Sequence, residues 1–126
     1  MKVLVCGGRN FNEADFVNKT LDDLHSRTPI TYLIEGGAKG ADFHAGLWVF
    51  MKNYNGIIIE HKVYKAEWKK YGNAAGVIRN QHMLDMESPD LVVAFPGGVG
   101  TADMVRRAKW EKIPVIQPVK SVLDRM

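Results

Sequence analysis

Apolar residues in this chain fall into short unbroken runs, and between the runs they recur at three- and four-residue spacing. The run from Lys2 to Cys6 stops at Gly7-Gly8 and predicts a first strand. Phe16, Val17, Leu21 and Leu24 then keep helical spacing to about Ser26, with Asn12 as the N-cap candidate and Thr28-Pro29 as the break. Tyr32 to Ile34 predicts a second strand. Phe43, Leu47, Phe50 and Met51 fall on one face of a second helix that ends near Asn53, before an Asn55-Gly56 turn. A third strand is expected to begin at Ile57-Ile58-Ile59 and run to Val63 or Tyr64. Lys65 to Ala75 shows no period. Gly76 to Leu84 reads as a helix ending before Ser88-Pro89, Leu91 to Phe95 as a fourth strand, and about Thr101 to Glu111 as a further helix. Lys112-Ile113-Pro114 ends that helix, Val115-Ile116 is a short fifth strand, and Val119 to Met126 is a final helical turn or edge segment.

Strands that are apolar throughout, rather than in alternation, are buried on both faces. Alternation of such strands with helical segments predicts an α/β fold, a doubly wound, mostly parallel sheet of about five strands. The length of 126 residues suits one domain spanning the whole chain, and the composition, 46% hydrophobic and 25% charged, is that of a soluble globular protein. A net charge of +3, with no basic cluster longer than Lys69-Lys70 or Arg106-Arg107, argues against nucleic acid as the partner and suits a small anion. The lone Cys6 excludes an internal disulfide. No N-terminal signal pattern is present, and no apolar run approaches the roughly 20 residues that span a bilayer. The chain therefore reads as a cytoplasmic protein with no membrane partner.

The unusual loops share a position. Gly7-Gly8-Arg9 follows the first strand, Gly36-Gly37 the second, the Trp68 to Arg79 segment the third, and Pro96-Gly97-Gly98-Val99-Gly100-Thr101-Ala102-Asp103 the fourth. In a parallel sheet all of these lie on one edge, where ligands bind at the point at which strand order reverses. A glycine-rich turn between a strand and a helix directs free backbone N–H groups at an anion, and phosphate is the natural guest. The familiar phosphate motifs are absent. No window matches G-x-x-x-x-G-K-[ST], and Gly98-Val99-Gly100 continues to Asp103 rather than to a third glycine.

Gly7-Gly8-Arg9, Gly36 through Asp42 (GGAKGAD), Trp68 through Gly72, Ala75 through Met83 and Phe95 through Asp103 resemble, in order and over nearly the whole chain, the signature blocks of the SLOG superfamily. The similarity is greatest to its YspA/cpYpsA-related branch of small Rossmann-like domains. The resemblance implies a pocket for a nucleotide or nucleotide-derived ligand of nucleoside phosphate, NAD or ADP-ribose type, serving a sensor or binding module. The related Lonely guy phosphoribohydrolases imply an alternative, an enzyme cleaving an N-glycosidic bond, and they also imply a homo-oligomer. Those enzymes carry P-G-G-x-G-T-x-x-E. Here Arg79 and Met83 keep the spacing of their arginine segment, but the position three after Thr101 is Met104 and the acid falls one earlier, at Asp103.

The expected ligand-binding set is Gly7, Gly8, Arg9, Gly36, Gly37, Trp68, Arg79, Asn80, Pro96, Gly97, Gly98, Gly100, Thr101 and Asp103, with Asp103 and Arg79 as the catalytic pair if the chain is an enzyme. Each has a plainer reading. Thr101 is a phosphate donor or an N-cap, and Asp103 a ribose contact, a charge-stabilising acid or a complement to the helix dipole. Arg79 and Arg9 are phosphate clamps or solvated cations. Trp68 stacks on a base or packs a lid or an oligomer contact. Asp42 caps a helix first and touches ligand second, Glu35 is a ribose or base contact or a structural acid, and Lys39 is solvated. Trp48 and Trp110 belong to core or interface, and Cys6 to packing. His25, His44, His61 and His82 lack metal-ligand spacing, so no metal and no certain cofactor is expected.

Overall fold

A computed structural model describes residues 1–120 of the chain. In chain order its elements are β1 (Lys2–Cys6), α1 (Ala14–Arg27), β2 (Tyr32–Glu35), α2 (Ala41–Tyr54), β3 (Glu60–Val63), the one-turn helix α3 (Trp68–Tyr71) with a 3-10 turn at Gly72–Ala74, α4 (Ala75–Glu87), β4 (Leu91–Ala94), α5 (Val99–Trp110) and β5 (Val115–Ile116). All strand pairs are parallel, in the order β3-β2-β1-β4-β5. The fold is an α/β sheet of Rossmann-like form.

Side chains alternate across a strand, so each strand feeds two cores. Val3 and Val5 join Phe16, Val17, Leu21, Trp48 and Val49 beneath α1 and α2. Leu4 and Cys6 join Met83, Leu84, Met104 and Val105 beneath α4 and α5. This is why β1 and β4 are apolar at nearly every position. The chain steps outward from β1 to β3, then returns to start β4 on the other side of β1. Right-handed crossovers in opposite directions put the two helix pairs on opposite faces, and the loops after β1 and β4 part where the direction reverses.

The breaks match the sequence. Ser88 takes a left-handed conformation (φ 43°) at the end of α4 and is followed by Pro89. Lys112 does the same (φ 61°) two residues before Pro114. Other boundaries differ from expectation. α1 is preceded by Glu13 and has no side-chain cap; Asn12 instead places Oδ1 3.3 Å from His44 Nε2. Ile57 and Ile58 lie outside the sheet and are exposed, and β3 begins only at Glu60, with all four of its residues exposed as befits an edge strand. α5 starts two residues early, at Val99, so Gly100 and Thr101 belong to its first turn.

The orientation of α2 is a finding of the structure. An apolar helix face normally meets the core, yet Phe43, Leu47, Phe50 and Met51 point to solvent. The buried face is instead Ala41, Asp42, Ala45, Trp48 and Val49. The alanines let the helix approach the sheet closely, and Trp48 fills the space beyond them, its Nε1–H donating to Asp22 Oδ1 at 2.9 Å. Trp110 is exposed rather than core. The expected element from Val119 onward extends beyond the described residues.

Candidate functional site

The loops at the C-terminal edge of the sheet enclose a cleft of about 350 Å³. Its walls come from the loops after β1 (Gly7, Gly8, Arg9) and β2 (Gly36, Ala38), from Asp42 and Trp68, from α4 (Arg79, Asn80, Met83) and from the first turn of α5 (Gly98, Val99, Gly100, Thr101). Of the residues expected from sequence, Gly7, Gly8, Arg9, Gly36, Trp68, Arg79, Asn80, Gly98, Gly100 and Thr101 converge here. Gly37, Pro96, Gly97 and Asp103 do not line it.

The glycines divide into two kinds. Most are demanded by packing. A Cβ on Gly7 would lie 2.5 Å from that of Ala41, and the Gly8 N–H donates to Pro96 O at 2.9 Å, joining the loops after β1 and β4. Gly40 (φ 75°) passes beneath the Gly8 carbonyl, which also accepts the Ala41 N–H at 3.2 Å. Gly98 and Gly100 are different. A Cβ on either would meet nothing within 4 Å, and neither has the positive φ that calls for glycine. Gly100 in a helix costs about 1 kcal/mol relative to Ala. Gly98 is the N-cap of α5, a position that glycine suits, whereas no neighbour and no positive φ asks for glycine at Gly100; both residues face the cleft.

At α5 the first intrahelical bond is from Ala102 N–H to Gly98 O, 3.0 Å. The N–H groups of Val99, Gly100 and Thr101 precede it and carry the positive end of the helix dipole. Asn80, buried in α4, fixes this turn by donating its Nδ2–H to Gly100 O and to Asp103 Oδ2, both at 3.1 Å.

Asp103 is held away from the cleft. Its Oδ1 accepts from Arg106 Nη2 at 2.6 Å and its Oδ2 from Arg107 Nε at 2.8 Å, besides Asn80. With its side chain only 3% exposed, it locks α5 to α4. The two arginines, three and four residues on in one helix, were a legible signal for this pairing.

The cleft also holds a charged cluster. Arg79 donates from Nη1 to Gly36 O at 2.7 Å, and its guanidinium lies beside Asp42. A Cβ at Gly36 would fall 2.5 Å from Arg79 Nη1 and 3.0 Å from Asp42 Oδ2, so both side chains converge on that glycine. Burial, aided by the charge of Arg9, lowers the Arg79 pKa, and Asp42 works against that shift. Arg9 lies over the Trp68 ring, 5.5 Å from its centroid, and forms a cation–π lip at the cleft.

Asp42 is the functional candidate that spacing undervalued. It is 5% exposed, lines the cleft and accepts the Ala38 N–H at 3.2 Å. Burial, and then the charge of Glu35, push its pKa up to about 7, against the backbone N–H groups and Arg79. Glu35 is itself engaged, accepting the Gly37 N–H and lying 2.9 Å from His61 Nε2. Burial and the Asp42 charge push the Cys6 thiol up to about 12, which keeps it protonated and inert. Among the described residues no three His, Cys, Asp or Glu side chains gather as metal ligands. No described helix is long and apolar enough to cross a membrane.

A Rossmann-like sheet with glycine-rich loops and two arginines gathered around a cleft at its switch point defines a small α/β module. The chain belongs to the YspA, cpYpsA-related SLOG family, whose model matches residues 1–71. It is also 35% identical over 118 residues to the Gene 61 protein of Mycobacterium phage D29, spanning 91% of this chain and 94% of that protein. The family match takes in the loops after β1 and β2 and ends with α3, at Tyr71. Arg79, Asn80 and the first turn of α5 lie beyond it. Membership points to a module for binding or processing nucleotide-related ligands.

Proposed function

We propose that the cleft binds a nucleotide or nucleotide-derived ligand, acting as a binding or sensor module, with a phosphate on the first turn of α5 and the sugar toward Gly36, Asp42 and Arg79. The reading rests chiefly on Gly100: backbone left bare in the first turn of a helix, where neither packing nor φ asks for it, suits close approach by a ligand. A volume of about 350 Å³ is near the lower end for ligand sites and favours a mononucleotide. NAD or ADP-ribose would extend past the Arg9–Trp68 lip. Ionised Asp42 is an acceptor for sugar hydroxyls, and Arg9 and Arg79 offset the ligand's charge.

The test is equilibrium dialysis of wild-type protein and the Gly100→Ala variant against AMP, NAD and ADP-ribose, with chromatography of both chambers. Wild type should retain an intact nucleotide, and the added methyl should weaken retention at least about tenfold without loss of stability. Retention of none of the three, or equal retention by the variant, overturns the reading.

One observation favours the enzymatic alternative. A carboxyl with a pKa of about 7 is suited to proton transfer near neutrality, and Asp42 has one inside the cleft. In N-glycoside hydrolysis water adds across the bond, its hydroxyl going to the anomeric carbon and its proton to the departing base, and Asp42 would relay that proton. Asp103, clamped by two arginines, would serve structure. Free base appearing in the dialysate with wild type but not with Asp42→Asn supports the enzyme; free base from both excludes Asp42 as the relay.

A further inference from the structure

The outward face of α2 carries Phe43, Leu47, Phe50, Met51 and Tyr54, which are 59%, 46%, 62%, 49% and 79% exposed. Their spacing of four, three, one and three residues makes a single stripe along the helix. The stripe leaves roughly 600 Å² of mostly apolar side chain in water, at the top of the range for the largest patch on an ordinary monomer. The neighbouring α1 shows how a solvent face is built in this protein, exposing Asp15, Asn18, Lys19, Asp22, Asp23, Ser26 and Arg27.

We infer that the α2 stripe is the contact between two copies of this chain, packed helix against helix about a two-fold axis. Three features select a second copy over another partner. Two such stripes bury on the order of 1,200 Å² together, the threshold of a specific stable interface, before Ile57 and Ile58 or any flanking residue is counted. The composition, aromatic residues and methionine with no charge, is that of an interface core. The charges on the same helix are already used: Lys52 is 2.9 Å from Asp22, and Asp42 is turned inward to the cleft. Nothing on the face calls for a charged partner, and an apolar stripe of regular period complements itself across a two-fold. The edge strand β3 is a poorer site, since Glu60 and Lys62 place charge along it.

The experiment is sedimentation velocity on the full chain from 1 to 100 μM, with no ligand added. Wild type should sediment as a species of twice 14.1 kDa. Phe50→Glu, at an exposed position where folding is not at stake, should weaken dimerisation at least about 30-fold while keeping the wild-type circular dichroism spectrum. Trp110→Ser, on the exposed side of α5, should leave it unchanged. A wild type that is monomeric at 100 μM, or a Phe50→Glu variant that dimerises normally, overturns the inference, and so does a dimer abolished by Trp110→Ser.

Discussion

Two aspartates of similar burial have opposite electrostatic surroundings, and each carries a prediction. Asp103 is met by two guanidinium groups and an amide. Removing it leaves the buried Asn80 amide and the partly buried Arg107 without their acceptor, while the exposed Arg106 turns to water, so Asp103→Ala should cost about 1–3 kcal/mol, read as a lower urea midpoint at unchanged slope. Asp42 lies beside Glu35 in a buried site, and its pKa is raised from 3.8 to about 7. Between those values the native state holds a proton that the unfolded chain has released. Stability therefore falls as pH rises from about 4 to 7 and levels off above. Asp42→Asn removes the penalty: it should raise the melting temperature at pH 8, by an equivalent of about 1–3 kcal/mol, with the gain vanishing near pH 4. A gain independent of pH would show that Asp42 is not the titrating group. A residue kept at such a cost beside a cleft is where function is expected. Sequence could place Asp103 near the motif and its arginines one turn on, but not the burial that separates the two acids. Burial depends on which loops meet across the sheet edge, and local spacing does not carry it.

At the scale of elements, periodicity identified the four long helices and the central strands, because β1, β2 and β4 are buried on both faces and their sequences say so, but it missed the one-turn α3, which is too short to show a period. It placed the start of β3 too early, because the apolar triplet Ile57-Ile58-Ile59 precedes the strand and three of the four paired residues are polar, as an edge strand with little to bury allows. It left the orientation of α2 open. Period shows that apolar residues share a face but not which way that face turns, and α2 has two such faces, one of alanine and Trp48 against the sheet and one of large side chains outward. The glycine-rich loops were legible as loops, while the division of their glycines by role needed coordinates. That division is testable by a matched pair. Gly40→Ala forces a residue with φ 75° against the Gly8 and Arg9 carbonyls and should destabilise by about 2 kcal/mol or more. Gly100→Ala adds a methyl to open space in a helix and should stabilise by up to about 1 kcal/mol. Chemical denaturation of both decides whether Gly100 belongs to the fold or to a ligand.

Over the whole molecule, the cleft and the α2 stripe share a helix but not a surface. Asp42, in the first turn of α2, faces the cleft, while the stripe from Phe43 onward faces away from it. The cleft also joins the two helical layers, since α2 comes from one face of the sheet and α4 and α5 from the other. A ligand held there ties both layers to the edge of β1, so it must stabilise the global fold rather than one loop. At a hundred times its dissociation constant a ligand adds about 2.7 kcal/mol, which for a domain of this size corresponds to a rise of roughly 10 °C in melting temperature. Phe50→Glu should lower the melting temperature in a concentration-dependent comparison with wild type, through loss of the dimer, yet show the same rise with ligand. Gly100→Ala should show the reverse: a melting temperature at or above wild type, and little or no rise. Differential scanning calorimetry of the three proteins with and without nucleotide separates these terms. If Phe50→Glu also loses the ligand response, the cleft is completed by the neighbouring copy, and dimerisation and binding are then a single linked equilibrium.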